Sequence, residues 1–374
     1  MNSRPIWISA VALSLVTTPA RAQSWTAFTR TFAAYAAADS IVGGSAVLVR
    51  DGRIVQRYNY GYADRSARRR VDDRTIFHWA SVTKTLTAIA IFQLRDRGKL
   101  SLDDPVTRWV PELRRIHAPK GQMDSVTIRM LLSHSSGLQA PTWPWTEGEP
   151  WEPFEPTAWE QLVAMMPYQR LHFTPGARYS YSNPGYIYLA RIIEAITGDT
   201  WAVYVQKNLW TPLGMTRSYV GATPYHLAPD RSHGYRIADS LSDIGADFNP
   251  GVTIPNSGWN APLDDLATYI AFLTGAAASS VLARKTLEEM WRPFLPTGAT
   301  LPEFGRVGLG FFSTEVDGRR IMGHTGDQAG YRSFVYFDPE RRTGLVIAFN
   351  TTNDAAPGRA RLEELARAGI ALLR

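Results

Sequence analysis

Ser81 and Lys84 stand three residues apart at the head of an apolar run, Val82, Leu86, Ile89, Ile91, Phe92 and Leu94, that reads as a buried helix. Residues three apart on a helix are neighbours, roughly 5–6 Å between Cβ atoms, so the hydroxyl and the amine can meet. A serine hydroxyl is a weak nucleophile until a base takes its proton. A lysine is that base only in its neutral form, and burial and the positive end of a helix both disfavour the ammonium. The same helix end directs free backbone N–H groups toward an oxyanion formed at Ser81. One helical turn thus offers a nucleophile, a base and part of an oxyanion hole. The pattern S-x-x-K is loose by itself, but Lys84 is the one lysine of this lysine-poor chain with a serine three residues before it.

Two further stretches carry matching chemistry. "FTPGARYSYSNPGY" holds Tyr181-Ser182-Asn183 on an aromatic loop running into a helix. A phenol beside a cation loses its proton more easily, so Tyr181 is expected to pass a proton to a leaving group or take one from water. Asn183 offers both donor and acceptor to a substrate amide or to Lys84. "MGHTGDQAGYRS" places His324-Thr325-Gly326 at the end of a strand, where the glycine lets a substrate lie close to the backbone. Other chemistries are excluded. There is no cysteine, hence no thiol nucleophile and no thiolate zinc site, and no H-E-x-x-H or G-x-S-x-G motif occurs. His134 in "LLSHSSGL" reads as a residue satisfying backbone groups at a turn rather than as a catalytic group.

The elements that must position these groups are legible in part. "GGSAVLVRDGRIVQRYNYGYAD" is two apolar runs about Asp51-Gly52, a hairpin in which both turn residues tolerate positive φ. "RRIMGHTG", "YRSFVYFDPE" and "TGLVIAFN" read as three strands. "GRARLEELARAGIALLR" closes the chain as an amphipathic helix, with Leu362, Leu365, Ala366 and Leu373 on one face. Strands at both ends of the chain are expected to share one sheet. Between them lie helix candidates at "NPGYIYLARIIEAIT" and "PLDDLATYIAFL", with long loops. The fold expected is a mixed α/β (α+β) one: an antiparallel sheet flanked by helices, with a mainly helical subdomain inserted between its strands. Its sheet part covers about 23–80 and 295–374, and its helical part about 81–294. The Trp- and Pro-rich stretch 141–159 has no regular period, and it suits equally the rim of a substrate cleft and a loop anchored by its own tryptophans.

Taken together, Ser81-Val82-Thr83-Lys84, Tyr181-Ser182-Asn183 and His324-Thr325-Gly326 resemble the three motifs of the penicillin-recognising serine hydrolases, the superfamily of class C β-lactamases, DD-carboxypeptidases and β-lactamase-fold esterases. "LRDRGKLSLDDPVTRWVPEL", "TIRMLLSHSSGL" and "LWTPLGMTRS" look like family segments in family order, so the resemblance covers nearly the whole chain after its first 22 residues. It implies a β-lactamase/DD-peptidase-like fold and an acylated Ser81 with Lys84 as its activating partner. It also implies that Tyr181 is a general base and acid, that Asn183 holds the substrate amide, and that His324 and Thr325 line the strand opposite. The oxyanion hole would be the N–H groups of Ser81 and of Asp327, the residue after Gly326. The Lys84–Tyr181 pair, rather than either alone, is taken as the proton-transfer unit. Two departures bear on substrate. His324 replaces the lysine of many β-lactamases, and Asp327 stands where a small residue is usual; both turn the expectation from anionic β-lactams toward an ester or peptide-like amide. A true β-lactamase and a non-catalytic cell-wall-peptide-binding protein remain the alternatives.

The bulk numbers fit such an enzyme. The chain has 374 residues, 45% hydrophobic and 20% charged, with a formal charge of +6 carried largely by scattered arginines. No run of five like charges suggests nucleic acid. Arg4, the apolar stretch "IWISAVALSLV" and Ala20-Arg21-Ala22 read as a secretory signal cleaved after Ala22. The expectation is a periplasmic or secreted protein beginning at Gln23, with a charge of +4, no stable membrane insertion, and neither metal nor organic cofactor.

Overall fold

A computed structural model describes residues 24–142, 156–247, 250–328, 330–353 and 358–374. The signal read at 1–22 and most of the stretch 141–159 lie outside the described residues. Among those described, one antiparallel sheet has nine strands in the spatial order Arg69–Arg70, Arg53–Asp64, Gly43–Arg50, Thr343–Phe349, Tyr331–Asp338, Arg319–Gln328, Phe312–Val316, Arg306–Val307, Leu295–Pro296. The two ends of the chain meet where Val47 pairs with Val346. The expected hairpin turns at Asp51 (φ +45°) and Gly52 (φ +76°), both left-handed, which is why Asp-Gly suits it.

Side chains alternate across each strand, and the sheet is covered on both faces. Ala46, Leu48, Tyr336, Leu345 and Ile347 face a core with Phe28, Phe32, Leu362 and Leu365. These last come from a helix Trp25–Ala38, unexpected from the sequence reading, and the closing helix Arg359–Ile370, which pack together. Val47, Val49, Val335, Phe337 and Val346 face the opposite core, where the helix Leu263–Thr274 covers the central strands. Within 81–294 the helices Thr83–Asp96 and Asn183–Thr197 pack on each other. The same stretch also carries short strands. Trp259–Pro262 pairs with Ile76–His78 and with Tyr219–Val220, and Gly234–Ile237 pairs with Leu241–Gly245 and Thr351–Asn353. No described helix is long and apolar enough to cross a membrane.

Candidate active site

Ser81 lies in a single 3₁₀ turn, Ala80–Val82, and the α-helix begins at Thr83, so the nucleophile candidate precedes the helix by two residues. Ala80 holds a φ of +46°, a sharp bend for a residue with a side chain. The bend is held on three sides. Trp79 N–H donates to the Trp259 carbonyl (2.8 Å), Thr83 Oγ1 donates to the Ala80 carbonyl (2.6 Å), and Ser333 Oγ donates to the Trp79 carbonyl (3.1 Å). This last bond ties the turn to the main sheet.

Lys84 is fully buried. Its Nζ lies 3.0 Å from Ser81 Oγ and donates to the backbone carbonyl of Asn256 at 2.9 Å. Burial holds the amine well below its ordinary 10.5. Among the described residues no carboxylate bonds to it, so only the Asn256 carbonyl and the Ser81 hydroxyl offset the desolvation of the charged form. Tyr181 Oη donates to Ser81 Oγ at 2.9 Å, and Lys84 Nζ lies 4.9 Å from the centre of its ring. The sequence reading expected a neighbouring cation to ease the phenol's ionisation. The reverse holds: burial raises the Tyr181 pKa above 10.0. The reason is that desolvation of the phenolate outweighs the hydrogen bond to Ser81 that favours it. Tyr181 therefore rests as a phenol, with its proton pointed at the serine oxygen.

The other expected residues converge on the same cavity, of about 310 Å³, lined by Ser81, Tyr181, Asn183, His324, Thr325 and Asp327 together with Tyr179, Phe304 and Phe312. Asn183 opens its helix behind the cap of Ser182, whose Oγ accepts the Gly185 N–H. Lys84's second partner is the Asn256 carbonyl rather than Asn183, and the two asparagines are joined by Asn256 Nδ2 donating to the Asn183 carbonyl (3.2 Å). Asn256 was not legible beforehand, since every residue carries a carbonyl and only the fold brings this one to Lys84.

His324 carries no charge that would stand in for a lysine at this position. It is buried, Nδ1 donates to the Thr325 carbonyl (2.6 Å), and the ring stands edge-on to Phe312 at 5.0 Å. Burial, and to a lesser degree a cation at Lys84, brings its pKa down to about 3. Asp327 does not raise it, because that carboxylate forms an ion pair with Arg332 at 2.7 Å. The Phe312–Val316 strand pairs with Arg319–Gln328 only as far as Gly323. Past that point the strand packs against the Ala80–Val82 turn. A Cβ at Gly326 would overlap the Trp79 carbonyl oxygen and the Ser333 hydroxyl, so glycine is what permits this approach. Among the described residues no group of three or more His, Asp or Glu could hold a metal ion.

Comparisons with known proteins bear on the family and the fold. The Beta-lactamase family profile matches residues 28–369. Protein flp of Staphylococcus aureus (strain COL) is 25% identical over 85% of the chain, which spans 61% of flp's length. Penicillin-binding protein 4* of Bacillus subtilis (strain 168) is 30% identical over 83% of the chain and 68% of its own. The octameric penicillin-binding protein homologue from Pyrococcus abyssi superposes with a TM-score of 0.77 at 27% identity, over 92% of this chain and 76% of that one. The chain belongs to the Beta-lactamase family, within the penicillin-recognising serine hydrolase superfamily.

Proposed function

We propose that the protein is an exported serine hydrolase that acylates Ser81 with a neutral ester or peptide-like amide and releases the acyl group to water. The observation that carries the reading is Ser81 Oγ held between a buried amine at 3.0 Å and a phenol donor at 2.9 Å. The Ser81 proton passes to neutral Lys84 as Oγ attacks the carbonyl carbon. The oxyanion is met by the N–H groups of Ser81 and Asp327. On collapse the bond to the leaving group breaks, Tyr181 gives that group its proton, and the Lys84 ammonium restores the phenol. In deacylation a water surrenders its proton to the same pair, attacks the acyl carbon, and the serine oxygen leaves as the hydroxyl. The ammonium formed in the first step lowers the phenol's pKa while it lasts, so each group is driven to the state the next step requires.

The neutral-substrate part of the reading is supported by the cavity's charges. Among the described residues that line it there is no permanent cation: buried Lys84 behind Ser81 and His324 are both pushed toward their neutral forms, and the Asp327 carboxylate is tied to Arg332. A substrate carboxylate gains little there. Nitrocefin and p-nitrophenyl acetate, compared by kcat/KM at neutral pH, test this. The ester is expected to be preferred, and His324→Lys combined with Asp327→Ser is expected to move the ratio toward nitrocefin. A wild-type preference for nitrocefin would make the protein a β-lactamase. Turnover of neither, with no covalent capture at Ser81, would make it a binding protein. Export is tested by N-terminal sequencing of the protein recovered from the periplasm or medium, expected to begin at Gln23.

A further inference from the structure

His134 does satisfy a backbone group, as its place in "LLSHSSGL" implies: Nδ1 accepts the Ser182 N–H at 3.0 Å. That role alone does not account for what the residue tolerates. It is buried and holds a φ of +53°, a strained conformation for a side-chain-bearing residue. With Nδ1 acting as acceptor, the ring proton sits on Nε2, a buried atom without a hydrogen-bond partner among the described residues. Both features are unfavourable, and a bond to one N–H calls for neither.

The ring's surroundings supply the missing purpose. It stacks on Tyr181 with centroids 4.4 Å apart and planes 24° from parallel. Tyr186 at 5.1 Å, Phe312 at 5.9 Å and Tyr179 at 6.0 Å enclose it. Its backbone carbonyl accepts the Ser180 N–H at 2.8 Å. One residue therefore pins the chain on both sides of Tyr181 and presses on the phenol ring between, while the far end of that ring donates to Ser81 Oγ. We infer that His134 is a positioning residue for Tyr181, holding the phenol against the nucleophile through the Ser180 and Ser182 bonds and the ring stack.

The inference rests on the reading of Tyr181 as a proton-transfer group. The titratable groups around His134 are Lys84, His324, Tyr179, Tyr181 and Tyr186. Burial first, then any positive charge at Lys84 or His324, keeps the imidazole well below its ordinary range, so Nδ1 stays an acceptor. A protonated ring would turn Nδ1 into a donor facing the Ser182 donor. Asparagine tolerates left-handed backbone and carries an acceptor, but it has no ring to stack.

A double-mutant cycle with p-nitrophenyl acetate tests this. His134→Phe, which keeps a ring and loses the acceptor, and His134→Asn, which keeps an acceptor and loses the ring, are each made in wild type and in Tyr181→Phe, with folding checked by circular dichroism. Misplacing a reacting group by about 1 Å costs on the order of a hundredfold. Each single variant is accordingly expected to lose at least about tenfold in kcat, with KM within about threefold of wild type. In the Tyr181→Phe background the same changes should cost less than about threefold, because the group they position is gone. A merely structural role would give equal losses in both backgrounds, and that result, or an unaltered kcat in the folded single variants, overturns the inference. If His134→Phe does not fold, the His134→Asn cycle decides on the same criterion. A Tyr181→Phe protein with wild-type kcat would instead overturn the function reading itself.

Discussion

Replacing Lys84 by methionine measures the charge state of the amine without any substrate. Methionine is close in length and apolar, so the cavity stays filled. In the wild-type fold the amine is buried with its pKa well below 10.5, whereas in the unfolded chain it titrates near 10.5. Below 10.5 the unfolded chain binds a proton that the fold refuses. Wild-type stability therefore rises with pH across the window between the folded value and 10.5, at about 1.4 kcal/mol per pH unit. The variant lacks this contribution, and the His134 and His324 titrations that Lys84 influences lie below this window. The offset at one pH is ambiguous, because the variant also leaves the Asn256 carbonyl without its donor, at about 1–3 kcal/mol. The slope is not ambiguous. Between about pH 8 and about pH 10 the wild type should gain stability relative to Lys84→Met, at up to about 1.4 kcal/mol per pH unit and less near the upper limit, where the unfolded lysine itself begins to titrate. Urea unfolding of both proteins at several pH values in that range reads the difference directly. Parallel curves would mean that Lys84 has the same pKa folded and unfolded, and a lysine charged in the fold cannot take the serine proton.

Two further expectations follow from the same geometry. Gly326→Ala should push the Arg319–Gln328 strand off the nucleophile turn, since its Cβ would overlap the Trp79 carbonyl and the Ser333 hydroxyl. A loss in kcat/KM of at least about tenfold, with circular dichroism retained, is expected, and wild-type kinetics would show that the approach of strand and turn is not needed. For His324 the folded pKa is about 3 against an ordinary 6.5, so stability falls as pH drops from 6.5 toward 3. His324→Asn should be spared about 2 kcal/mol of the loss between about pH 6 and about pH 4.5, and identical acid limbs in urea unfolding would refute the burial argument.

How far the sequence could be read depended on whether a signal was local. The Asp51-Gly52 hairpin, the three strands from Arg319 to Asn350 and the helix at Asn183 each carry their turn, alternation or cap within a few residues. The convergence of Ser81, Lys84, Tyr181, Asn183, His324 and Thr325 was legible as three ordered motifs. In the helix Trp25–Ala38, Phe28, Phe32, Tyr35 and Ala36 recur at helical spacing, but the apolar stretch before it and the many alanines blur the signal. Asn256, Ser333 and the aromatic walls Phe304 and Phe312 could not be found, because each acts through a long-range approach with no local signature. The direction of the Tyr181 shift is likewise illegible in the sequence, because it is set by the burial of the phenol, which only the fold determines.

In the proposed mechanism Ser81 Oγ is the atom that carries the acyl group. Rapid quench of the enzyme with p-nitrophenyl acetate, followed by intact-mass and peptide mass spectrometry, reports this directly. The expected result is an acetyl adduct on the peptide containing Ser81 that forms and decays within the turnover time and is absent in Ser81→Ala. Turnover that proceeds with the adduct on another residue, or unchanged in Ser81→Ala, would contradict it.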